Sequence, residues 1–170
     1  MVTTVSSVYT AAYAELLRLA RRERRRGKAP ATVSTTVLVH EAWFKLREQP
    51  QHAQLERSDF LRIAARAMRQ VLIDYARHAK AQKRQRITVS LGEVADASFG
   101  APALIDMIEL DTALNKLEAI DARFVRVVEL HVFCGLAFGE IAQCEGISER
   151  STFRAWRNAR VFLLDHLSAS

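Results

Sequence analysis

Two stretches of helical hydrophobic spacing lie close together near the end of the chain, and their closeness constrains the fold more than any other feature. The first runs over 138–144 and the second over 149–167, with Glu145-Gly146-Ile147-Ser148 between them. Helices joined by so short a Gly-containing turn must cross and pack on one another, so 136–160 reads as a helix-turn-helix. Ile147 would plug the angle, and Ser148 has the side chain of an N-cap for the second helix. In that helix Trp156, Ala159, Leu163 and Leu167 share a core side, whereas Arg150, Arg154 and Arg157 recur at steps of four and three on another. An arginine stripe near the start of such a helix can contact base edges, arginine to guanine being the commonest pairing. The competing reading of the stripe is a solvated helix face.

The rest of the chain is also written for helices. Tyr9, Tyr13, Leu16, Leu17 and Ala20 form one apolar face, before a basic run over 21–28 that ends at Gly27 and Pro30. Leu38, Val39, Ala42, Trp43 and Leu46 form a second, stopped near Pro50. Phe60, Ala64, Met68, Val71 and Tyr75 predict a third, long helix with Ser58 as its N-cap and Asp59 favourable to its dipole. Leu104, Ile108, Leu114 and Leu117 suggest another. Asp121 then caps a helix that turns Phe124, Val128 and Val132 inward and ends at Gly135. With 6 glycines and 3 prolines among 170 residues, the chain lacks the turns that a sandwich or barrel needs. The expectation is an all-α protein of two small helical domains, over 1–83 and 109–168. Between them, 84–108 is polar and then rich in Gly, Ser and Pro, and reads as a flexible linker with a short strand-like or irregular piece at 87–91.

Charge separates the halves. Residues 1–80 hold 15 Lys/Arg against 7 Asp/Glu, and 109–170 hold 7 against 9, within an overall net of +6. A basic balance points to a polyanionic partner such as nucleic acid. Arg62, Arg66, Arg69, Arg77 and Lys80 form a second basic stripe that could track phosphates, with Phe60, Met68 and Tyr75 on the opposite side. No eighteen-residue apolar run exists to cross a bilayer, and the N-terminus lacks the pattern of a signal peptide, so a cytoplasmic protein without membrane partners is expected. Cys134 and Cys144 are then free thiols. With His131 they lack a fourth ligand and any common zinc spacing, so no metal site is expected. His40, His52, His78, His131 and His166 join no constellation. No phosphate-binding Gly loop, Ser-His-Asp pattern or paired carboxylate site is visible. Neither catalytic residues nor a cofactor is expected, and the chain reads as a non-enzyme.

In this order and spacing the pieces resemble the extracytoplasmic-function (ECF) sigma factors, over nearly the whole chain. "TTVLVHEAWFKL" (35–46) resembles region 2.2, which grips the clamp helices of RNA polymerase. "FLRIAARAMRQVLIDYARHAKAQKR" (60–84) resembles regions 2.3 and 2.4, which open and read the −10 element. "ALNKLEAIDARFVRVVELHVFCGLAFGEIAQCEGISERSTFRAWRNAR" (113–160) resembles region 4, which reads the −35 element. The resemblance implies a transcription initiation factor whose partners are promoter DNA and core polymerase, through its clamp helices and flap. By position, Leu38, Val39, His40, Glu41 and Phe44 would touch polymerase. Arg66, Arg69, Gln70, Asp74 and Arg77 would lie near −10 DNA. Arg150, Ser151, Arg154 and Arg157 would meet −35 DNA. The loop over 49–57 falls where this class captures a flipped base, and shows no clear pocket.

Three positions depart from the class. Position 153 is Phe where Lys is frequent, and position 152 is Thr where an apolar residue is usual, which puts the −35 contacts in question. The acidic start of region 2.2 is replaced by Ser34-Thr35-Thr36-Val37. Phosphorylation would restore negative charge there, and some sigma factors that resemble this one and lack those acids are switched on by a Ser/Thr kinase. The resemblance therefore implies a kinase partner and modification at Thr36, then Ser34 or Thr35. The competing reading is that these residues only cap the helix beginning near Val37. Two other functions stay open at this point. One is a helix-turn-helix regulator that does not bind core polymerase. The other is an interaction protein with the fold but no promoter activity.

Overall fold

The computed structural model describes residues 56–82, 86–91 and 104–168, and among these the all-helical expectation is borne out. The first helix, α1 (Arg57–Ala81), buries Phe60, Leu61, Ala64, Ala65, Met68, Val71, Leu72 and Ala76, a wide arc that only a helix packed on two sides can hide. Its start corrects one expectation. Glu56, not Ser58, is the N-cap, and the amide of Phe60 already donates to the Glu56 carbonyl at 3.0 Å. Ser58 therefore lies inside the first turn, where its hydroxyl cannot serve as the cap. Asp59 keeps its favourable place near the N-terminus, and His78 and Lys80 lie in the last turn.

A two-stranded antiparallel ribbon follows, β1 (Thr88–Ser90) against β2 (Leu104–Asp106), with Val89 opposite Ile105. Ile87, Val89 and Leu91 alternate along the backbone and are all buried, which accounts for the strand-like signal in the sequence. Leu104, expected in a helix, belongs to β2. The carboxylate of Asp106 accepts from the amides of Ile108 and Glu109 at 2.8 and 3.4 Å, and so begins α2 (Met107–Ile120) at the next residue.

Three more helices complete the described chain. α3 (Ala122–Val132) is capped by Asp121, whose carboxylate accepts from the Arg123 amide at 2.8 Å, and it is followed by Gly135 at φ 65°. α4 (Phe138–Glu145) is short, and α5 (Glu149–Ser168) is long. Met107, Leu110, Leu114, Leu117, Val128, Leu130, Ile141, Trp156 and Leu163 are nearly or wholly inaccessible to solvent. Each such aliphatic side chain contributes roughly 1.5–3 kcal/mol relative to exposure. α1, from the segment read as the first domain, packs on α2, α3 and α4 and shares one core with them.

Candidate nucleic-acid interface

The turn between α4 and α5 is built from local chemistry. Gly146 closes α4 in the left-handed conformation, φ 66° and ψ 31°, and the Ile147 amide donates back to the Ala142 carbonyl at 3.1 Å. Nothing crowds the place where a side chain on Gly146 would stand, so backbone conformation rather than space calls for glycine. Ile147 is half-buried in the angle. At the start of α4 the Glu140 carboxylate accepts from the Ala137 amide at 2.8 Å. At the start of α5 the Ser148 hydroxyl accepts from the Ser151 amide at 3.1 Å and donates to the Ser151 hydroxyl at 2.9 Å. These caps satisfy amides that a helix cannot pair internally.

α5 then presents two faces. Trp156, Ala159 and Leu163 are inaccessible, and the Thr152 hydroxyl is buried with them, donating to the Ser148 carbonyl at 3.2 Å. Arg150, Arg154 and Arg157 are exposed and form no ion pair among the described residues. Phe153 stands beside them, 36% exposed. So Thr152 keeps the core position, its polarity satisfied by the backbone, and Phe153 turns outward.

The basic stripe of α1 divides. Arg66, Gln70, Asp74 and Arg77 share an exposed face, with a Gln70–Asp74 hydrogen bond of 3.1 Å and an Arg66–Glu118 ion pair of 3.3 Å. Arg69 is turned inward and is 5% exposed. It donates to Asp111 Oδ1 at 2.6 and 3.0 Å, to Asn115 Oδ1 at 2.7 Å and to Glu129 Oε1 at 2.8 Å, tying α1 to α2 and α3. Burial pushes the Glu129 carboxyl above the usual range, and the Arg69 hydrogen bond and charge oppose it. Arg62 is half-buried and donates to Asp59 at 2.8 Å, to Glu145 at 2.7 Å and to the Cys144 carbonyl at 2.6 Å. Arg126 holds the other oxygen of Glu145 at 2.9 Å. Two guanidiniums thus compensate a buried carboxylate placed at the unfavourable C-terminal end of α4.

A family model for the ECF sigma factor matches residues 3–169, almost the full chain. The chain belongs to the ECF sigma factor family. No curated protein and no solved structure matches it. Membership makes it a DNA-binding factor of transcription initiation that works with RNA polymerase, and gives the helix-turn-helix its context. No helix among the described residues is long and apolar enough to cross a membrane.

Within this sigma factor the structure brings Arg150, Arg154 and Arg157 to one exposed face, with the half-buried Ser151 engaged in the cap beside them. It gathers Arg66, Gln70, Asp74 and Arg77 on α1 and removes Arg69 from that face, where Asp111, Asn115 and Glu129 replace the water that its buried guanidinium gives up. Leu38, Val39, His40, Glu41 and Phe44, the candidate modification sites Ser34, Thr35 and Thr36, and the loop up to residue 55 lie outside the described residues. Sequence reasoning missed Glu129 as the buried partner of Arg69. Its signal was an acid inside Val125–Leu130, where every other residue but Arg126 is apolar. His131, considered above as a metal ligand, instead has Nδ1 2.8 Å from the Leu136 carbonyl and packs its ring on Phe138 and Trp156.

Proposed function

We propose that this ECF sigma factor directs core RNA polymerase to a set of promoters whose −35 element is read by Arg150, Ser151, Arg154 and Arg157. The observation that carries the reading is the exposed arginine face on α5, free of ion pairs among the described residues and held on a capped helix behind a Gly146 turn. Guanidiniums left without carboxylates suit guanine edges and phosphates. On α1 the proposed −10 face is Arg66, Gln70, Asp74 and Arg77, while Arg69 holds α1 in place instead of reaching DNA. Polymerase would be gripped by Leu38, Val39, His40, Glu41 and Phe44. The domain division at 83 and 109 belongs to the same reading.

The decisive experiment is run-off transcription with purified core polymerase. The double variant R154A R157A should lose promoter-specific initiation while still assembling with polymerase. A wild-type chain that binds promoter DNA but never binds core would instead be a helix-turn-helix regulator. The proposed switch is phosphorylation at Thr36, with Ser34 and Thr35 as secondary sites, by a Ser/Thr kinase. It is supported by the Ser/Thr cluster standing where the class carries acids. Unmodified chain should bind polymerase weakly and T36E more tightly. Full-strength initiation by unmodified protein would overturn the switch and leave the promoter role standing.

A further inference from the structure

Large hydrophobic residues exposed among the described ones are Ile120, Phe153 and Val161, and the last two lie on the arginine side of α5. Phe153 follows Arg150 by three residues and precedes Arg157 by four, so it borders the cationic stripe. Its ring is also held in place. It meets Phe138 edge-on, with centroids 5.4 Å apart, Phe138 stacks on His131 at 4.7 Å, and His131 meets the inaccessible Trp156 at 4.6 Å. This ladder runs from the core to the surface and fixes where its outermost ring points.

We propose that Phe153 is a specificity-determining residue that reads thymine through its C5-methyl group in the major groove of the −35 element. The proposal rests on the reading of α5 as the recognition helix. Thymine carries the one methyl group that the major-groove edges of the four bases present. A phenyl ring can bury that methyl, and it offers nothing to the donors and acceptors of the other bases. Placed over guanine, adenine or cytosine it would desolvate polar groups without replacing their hydrogen bonds. The ring thus selects both for thymine and against its competitors. A protein surface seated on the ring is the weaker alternative. It would also have to cover Arg150, Arg154 and Arg157 and supply a carboxylate to each, since a charge buried without a partner is costly.

The test uses the complex of the chain with core polymerase. Duplexes are selected from a randomised pool, and each thymine of the upstream element is then replaced singly by deoxyuridine, which removes the methyl alone. At one or two adjacent positions wild type should lose affinity about three- to fivefold, the effect of exposing one buried methyl-sized group. F153A should bind thymine and deoxyuridine alike at those positions. A wild type indifferent to every deoxyuridine overturns the proposal without recourse to any variant. So does an F153A that keeps the full methyl dependence, or one whose only defect is weaker polymerase binding. If selection enriches no upstream sequence, or R154A R157A keeps the selectivity, the reading of α5 fails together with the proposal. Selectivity that depends on these arginines but shows no methyl effect defeats the Phe153 proposal alone.

Discussion

The arginines of α1 and of α5 recur at the same three- and four-residue steps, but they stand in different surroundings. Arg69 and Arg62 of α1 each face carboxylates from the helices packed on them, Asp111 and Glu129 in one case and Glu145 in the other. Arg150, Arg154 and Arg157 of α5 face solvent and form no ion pair among the described residues. The difference explains an oddity of composition. Residues 109–170 are slightly acidic, with 9 Asp/Glu against 7 Lys/Arg, although they contain the helix-turn-helix. Glu129 and Glu145 turn inward to α1, and Glu118 pairs with Arg66, so these acids do not neutralise Arg150, Arg154 and Arg157. A net charge summed over a segment therefore says less about nucleic-acid binding than the identity of each cation's neighbours.

The sharpest way to break this comparison is to remove Arg69. R69A leaves Asp111 and Glu129 against a hydrophobic core without their cation, and breaking such a buried pair costs about 3–5 kcal/mol. Thermal or urea unfolding should show that loss, with R66A, whose pair is exposed, changing stability by less than about 1 kcal/mol. Near-equal effects of the two would mean that Arg69 is not the inward anchor.

R154A and R157A should do the reverse. Each should cost about 1–3 kcal/mol of discrimination between promoter sequences if its contact is bidentate. Unfolding free energy should stay within about 0.5 kcal/mol of wild type. Anisotropy titrations over a salt series, set beside urea melts, separate the two effects. S148A tests whether the cap supports the arginine face. It should cost about 1 kcal/mol of stability, seen as a lowered urea midpoint, and fray the first turn that bears Arg150.

The smallest effect concerns Glu129 and pH. Burial raises its carboxyl above the ordinary value, so the folded state favours the protonated form. That contribution is complete below the ordinary glutamate pKa and is lost as pH rises through the raised one. Wild type should therefore gain stability relative to E129Q as pH falls from about 7 towards 4. Parallel melting curves for the two proteins would show that the Arg69 pair cancels the cost of burial. A relative loss by wild type would show that the pair outweighs it.

Most of the architecture was legible in the sequence. Asp121, Gly135 and the Gly146-Ile147-Ser148 turn stood where structure finds a cap, a left-handed glycine and a second cap, because these signals act within a few residues of themselves. Of the strand-like and irregular readings open for Ile87 to Leu91, the structure has the strand, and the alternation that marks it is a local pattern. Leu104 and Ser58 misled for a related reason. An apolar residue at helical spacing and a serine before an apolar run each fit more than one place. Asp106 and Glu56, by their backbone conformations, settled where the helices begin. The Phe153 and Thr152 exchange was visible as a departure, but its direction was not. Thr152 could enter the core only because the Ser148 carbonyl lies within reach of its hydroxyl.

What the sequence by itself determined is the helical class, the turn and its caps, and the arginine periodicity on two helices, together with motifs enough to resemble its family. Tertiary structure alone decided which arginines meet carboxylates and which meet water. Helical spacing places a side chain on a face, but whether that face is a surface depends on residues far along the chain, such as the Asp111 and Glu129 that enclose Arg69 from 42 and 60 positions away.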